Sequence, residues 1–169
     1  QSVLDRAPAS KNLMVLKTLS KMGFAAGRLG FAVANEELTG YLRAAKSPYN
    51  VNALTQAAAS VFLGEKGYLD GAVENIKRSR DSLFNELAKY AGTRDDMRVY
   101  PPHTNFVLVR FDDSAAVASA LKASGISVRL ISGCLRITAG TNEENRELLK
   151  ALKDLSTVQN EKRIEKRAK

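Results

Sequence analysis

Two short apolar runs, residues 13–19 and 29–34, bracket a loop that holds hydroxyls, a lysine, small residues and an arginine. Runs this continuous read as strands covered on both faces of a sheet. The loop between them, from Ser20 to Arg28, is rich in glycine and alanine and sets the Lys21 amine a short turn or two from the Arg28 guanidinium.

The rest of the chain follows a regular grammar. Asn35-Glu36-Glu37 places an acceptor and two acids at a helix start, and Ser47-Pro48 stops that helix near Lys46. Asn52 caps a second helix. A third, from about Tyr68 to Tyr90, carries apolar residues at helical spacing and is expected to end on a C′ glycine at Gly92. Beyond it, 105–111 reads as a strong strand. Ser114 is the expected cap of a helix reaching Lys122 and closed by Gly125. Short strands are expected at 126–130 and 135–139, before a last helix capped by a Thr141–Glu144 box. The fold class is α/β, followed by a small α+β lobe of β-α-β-β-α order. Its parts are 1–80, 81–156 and a basic tail, 157–169.

Size and charge bound the function. One respectable core, or two small lobes, fits 169 residues. The formal net charge of +8 is partly local, because Gln159–Lys169 holds five basic residues against Glu161 and Glu165. Such a run reads first as a solvated tail; a nucleic-acid contact would need steep salt dependence lost with the tail. Cys134 is the only cysteine and His103 the only histidine, so an internal disulfide, a zinc cluster and a Ser-His-Asp triad are poor fits. No metal is expected. His103 is expected on a turn, and Asp95-Asp96 and Asp112-Asp113 as loop and cap residues. No run approaches the length of a membrane span, and no signal-peptide pattern stands at the start. A reducing, cytoplasmic setting fits the lone thiol, with an organelle left open. The chain begins with Gln1 and is expected to be processed or partial.

Thr18-Leu19-Ser20-Lys21 followed by Ala26-Gly27-Arg28-Leu29-Gly30 resembles the cofactor-lysine motif of fold-type-I pyridoxal-phosphate aminotransferases. The flanks, 12–17 and 31–35, look most like histidinol-phosphate aminotransferase. The resemblance implies a large domain built on a parallel sheet and pyridoxal 5′-phosphate as cofactor. It makes Lys21 the catalytic Schiff-base lysine and Arg28 the grip on the cofactor phosphate, with Thr18 or Ser20 adding a hydroxyl. Leu135-Arg136-Ile137-Thr138-Ala139-Gly140-Thr141 is similar to a signature near the end of the same family. There Arg136 would bind the substrate anion, glutamate's carboxylate or the phosphate of histidinol phosphate. Arg129 matches a second arginine used for the phosphate.

In that family the acid against the pyridine nitrogen, the stacked aromatic ring and a glycine-containing phosphate loop all precede the lysine; Asp5 is not that acid. Two readings follow from the resemblance. The first is half of a histidinol-phosphate-type aminotransferase in histidine biosynthesis, acting in a homodimer or with a complementary N-terminal chain. The second is a non-catalytic truncated homologue serving as a structural or binding subunit.

Overall fold

A computed structural model describes residues 2–167 of the chain, with side chains through Leu155. The chain divides into two compact units, the first ending at Val73 and the second beginning at Glu74. The basic tail lies outside the described side chains.

The first unit holds strands β1 (Val15–Thr18) and β2 (Gly30–Val33), then helices α1 (Glu36–Ala45) and α2 (Ala53–Gly64). A short 3-10 turn, Leu19–Lys21, follows β1 directly. Both helix starts are as the sequence implies: Asn35 Oδ1 accepts from the Leu38 N–H and Asn52 Oδ1 from the Thr55 N–H, each at 2.8 Å.

The strands depart from expectation in two ways. β1 and β2 pair antiparallel, with Val15 opposite Val33 and Thr18 opposite Gly30, rather than as neighbours in a parallel sheet. The connection between them has no room for the crossover of a dozen or more residues that parallel pairing demands. Nor are they covered on both faces, since Leu16 is 75% and Phe31 49% exposed. Only these two strands form the sheet of this unit among the described residues, so nothing there shields their apolar faces.

Helix α3 (Lys66–Ala91) runs across the unit boundary. It ends where expected, but Gly92 is not in the left-handed conformation; its N–H simply continues the ladder to the Ala88 carbonyl.

The second unit is a two-layer α+β lobe. Strands β3 (Met97–Tyr100), β4 (Phe106–Phe111), β5 (Arg129–Ile131) and β6 (Cys134–Thr138) form an antiparallel sheet of order β3-β4-β6-β5. β3 is an edge strand that the expected β-α-β-β-α order omits. Helices α4 (Ser114–Ala123) and α5 (Asn142–Arg167) complete the lobe. One face of the sheet supplies Met97, Val107, Val109, Phe111, Leu135 and Ile137 to the core. Leu83 and Leu87 of α3, Val117 and Leu121 of α4, and Leu148 and Leu152 of α5 close over it. Strict alternation along β4 and β6 is what permits one dry face and one open face.

Caps hold the helices in place. Asp113, not Ser114, caps α4 by accepting from the Ala116 N–H. The Ser114 hydroxyl is buried and accepts from the Phe111 N–H instead, which bends the chain from β4 into the helix. Before α5 the capping box is complete: the Thr141 hydroxyl accepts from the Glu144 N–H and Glu144 accepts from the Thr141 N–H. Buried Asn145 accepts from the Gly140 N–H at 3.0 Å and donates to the Ser79 hydroxyl at 2.9 Å, while that hydroxyl donates to the Gly140 carbonyl.

Candidate functional site

The predicted residues fall into two groups, one in each unit. In the first, buried Leu19 anchors the turn that carries Ser20 and exposed Lys21. Thr18 Oγ1 accepts from the Ser20 N–H at 3.2 Å, which leaves its own hydroxyl proton for another acceptor. Lys21 makes no hydrogen bond or ion pair among the described residues. The loop then returns to β2 by way of an aromatic contact, with the Phe24 ring stacked on Phe62 at 4.8 Å and Phe62 edge-on to Tyr68.

Arg28 sits at φ 49°, a conformation that costs a side-chain-bearing residue free energy. Such strain persists only where the surroundings impose it. Part of the cause lies next door. A Cβ at Gly30 would stand 2.7 Å from the Lys17 carbonyl, so β2 approaches β1 as closely as only glycine allows. The Arg28 guanidinium is exposed and spends one N–H on the Ala25 carbonyl at 3.3 Å, keeping its other donors.

In the second unit a two-residue turn, Ser132 at φ 48° and Gly133 at φ 76°, joins β5 to β6. Two consecutive left-handed residues are the signature of the tightest hairpin, and they set its register. Arg129 therefore lies directly opposite Arg136, and Leu130 opposite Leu135. Period-two alternation sends both arginines to the open face. Arg136 is half-buried with its Cζ 5.2 Å from the centre of the Phe106 ring. Its Nε is shielded from solvent and has no hydrogen-bond partner.

Phe106 is the residue that sequence reasoning missed. Nothing in local pattern links it to Arg136; the link is the β4–β6 register, which sets Phe106 opposite Thr138 and Leu108 opposite Arg136. His103 is exposed on the bend between β3 and β4, as expected, and Cys134 is a half-buried free thiol on β6. A groove of about 890 Å³ in this unit, between Asn75–Ser82 of α3 and the start of α5, contains none of the predicted residues. Part of its lining, Ser79, Gly140, Thr141 and Glu144, is engaged in the α5 cap and the Asn145 network.

A lysine with an unengaged amine, an arginine with spare donors and a free hydroxyl proton make a donor set suited to a phosphorylated aldehyde. The Arg129–Arg136 pair suits a carboxylate or phosphate. Comparison with known proteins shows the family. The family model for aminotransferase class I and II matches residues 2–152, and the chain belongs to that family.

The histidinol-phosphate aminotransferase of Thermoanaerobacter pseudethanolicus is 42% identical over 161 residues. That match takes in 91% of this chain and 44% of the relative, so the chain spans less than half the length of the relative. Among solved structures, the histidinol-phosphate aminotransferase of Clostridium acetobutylicum superposes with a TM-score of 0.81 at 24% identity, over 92% of this chain and 49% of that one. The Sinorhizobium meliloti enzyme, solved in complex with pyridoxal-5′-phosphate, gives 0.75 at 22% identity, over 90% and 44%. At these identities the structural matches speak for the fold.

Proposed function

We propose that this chain contributes the cofactor-lysine and substrate-arginine portion of a pyridoxal-phosphate-dependent aminotransferase of the histidinol-phosphate type. The reaction is reversible transfer of an amino group between glutamate and imidazole-acetol phosphate. The observation that carries the reading is the Arg129–Arg136 pair on one sheet face, with the Arg136 Nε buried and unpartnered. A buried N–H without an acceptor is costly. A carboxylate or phosphate supplied by substrate would satisfy it, and one fork serves both anions because each offers paired oxygens.

Pyridoxal 5′-phosphate supplies, when bound, an aldehyde that captures amines and a ring that accepts an electron pair from the substrate carbon. Lys21 would hold its aldehyde, Arg28 its phosphate, and the hydroxyls of Thr18 and Ser20 would add donors to that phosphate. The Lys21 amine would carry the proton from the substrate carbon that bears nitrogen to the cofactor's aldehyde carbon. Arg136 and Arg129 orient the substrate by its anionic end.

The first unit supports a further element of the proposal. Its buried apolar side chains are Ala7, Leu19, Ala59 and Leu69, while Leu16, Tyr49, Leu54 and Val61 are all more than two-thirds exposed. Large apolar side chains left exposed beside so small a core suit an interface. We assign it to a second copy or to a chain equivalent to the part of the relatives that this one does not span. No helix among the described residues is long and apolar enough to cross a membrane. The single free thiol fits a cytoplasmic setting.

The competing reading, a non-catalytic truncated homologue kept for binding, is favoured by the exposure of both Lys21 and Arg28. Borohydride trapping separates the two. The chain is incubated with pyridoxal 5′-phosphate, reduced, digested and analysed by mass spectrometry, beside K21A. Covalent label on the Lys21 peptide, lost in K21A and weakened in R28Q, is expected. A folded chain carrying no label there would favour the binding role.

A further inference from the structure

The open face of the second unit's sheet carries a second arginine pair. In the β3–β4 ladder Arg98 lies directly opposite Arg110, one pleat repeat along from the row that holds Tyr100, Leu108, Arg136 and Arg129. Two residues along a strand is about 7 Å, so the two pairs are close but distinct. Strand positions on this face hold four arginines and no carboxylate. Like charges directly opposite each other in a ladder destabilise it. An exposed face with no ligand would gain by alternating signs.

Among the described residues neither the Arg98 nor the Arg110 side chain makes a hydrogen bond or ion pair. The Arg98 Cζ stands 5.2 Å from the centre of the Tyr100 ring, which limits where its planar fork can point. The nearest acids along the chain are turned to other uses or stand at the strand ends. Asp96 is held by Arg94 through both carboxylate oxygens, and exposed Asp112 follows β4, its N–H donating to the Asp96 carbonyl.

We propose that Arg98 and Arg110 form a second oxyanion-binding site, for a phosphate or a carboxylate, separate from the Arg129–Arg136 pair. Opposed guanidiniums on one face can each turn a fork toward a single tetrahedral or planar anion, and the binding removes their mutual repulsion. The inference stands independently of the aminotransferase reading, because it uses neither Lys21 nor the substrate arginines.

The test follows arginine Nε–H signals by NMR in the isotopically labelled full chain. Inorganic phosphate and glutamate are titrated in separate arms against chloride at matched ionic strength. Saturable shifts of the Arg98 and Arg110 signals are expected in at least one arm, and they persist in R129Q/R136Q. R110Q should weaken the response at Arg98 at least fivefold. R110K, which keeps the charge and loses the fork, should weaken it two- to threefold, and D112N should strengthen it. The arm that saturates first identifies the anion. Shifts no larger than those in chloride, or an Arg98 response unchanged by R110Q, would overturn the site.

Discussion

Arg136 rests its guanidinium over the ring of Phe106, with Cζ 5.2 Å from the ring centre, and lies across the ladder from Arg129. The ring supports a cation that has no carboxylate partner among the described residues, so the fork stays available for a ligand while its plane is held. Support and availability come from one strand register.

Replacing Phe106 should therefore affect binding before chemistry. Losing a cation–π contact of about 1 kcal/mol predicts that F106L raises KM for the anionic substrate roughly fivefold. kcat should fall less than KM rises. If the proposed aminotransferase activity holds, steady-state kinetics checks this, and an equal loss in both parameters would contradict it.

The hairpin turn makes a sharper case. Ser132 bears a side chain at φ 48°, so S132G should be neutral or stabilising by up to about 1 kcal/mol. G133V puts a β-branched residue at φ 76° and should cost more than 1 kcal/mol. It should also loosen the Arg129–Arg136 register. Thermal melts of both variants, with anion titration of G133V, test the pair.

Close approach at Gly30 yields a prediction for the other unit. In G30A the new methyl meets the Lys17 carbonyl at 2.7 Å and the strands must part. Arg28 would leave its left-handed conformation, and labelling of Lys21 by pyridoxal phosphate should drop severalfold. Labelling equal to that of the original chain would show that the close pairing is immaterial.

Asn145 is buried and bridges the loop after β6 to Ser79 of α3. N145A leaves the Gly140 N–H and the Ser79 hydroxyl without that partner, at a cost of about 2–3 kcal/mol. Because the same loop leads away from Arg136, anion affinity should fall with stability. Denaturant unfolding measures the first effect and titration the second.

Acid should act through Glu86. Its hydrogen bond from Lys89, and then the lysine charge, hold its carboxyl below the usual value. A carboxylate depressed in the folded state contributes stability above its unfolded pKa, and that contribution is lost as pH falls through the depressed value. E86Q removes that contribution, so stability should fall slightly at neutral pH, as befits a solvent-screened pair, and converge on that of the original chain as pH drops well below the ordinary value of 4.5.

Local chemistry was legible in the residues themselves. Asn35, Asn52 and the Thr141–Glu144 box declare helix starts because a cap depends on atoms three residues apart. The alternation in β4 and β6 declares a sheet with one dry face. Ser114 misled because its hydroxyl had two local uses, and the bend from β4 took it while Asp113 took the cap. The pairing of β1 with β2 misled because apolar composition reports burial within a completed sheet, which two strands cannot provide.

The sequence by itself supplied the side chains to which the proposal gives chemistry, Lys21, Arg28, Arg129 and Arg136, and the helices that frame them. It could not determine who faces whom. That Arg129 meets Arg136, that Arg98 meets Arg110 and that Phe106 underlies a guanidinium were decided by strand register. Register is a long-range choice, made by a two-residue turn and by the burial of the opposite face. A one-residue slip would have sent every arginine on the slipped strand into the core.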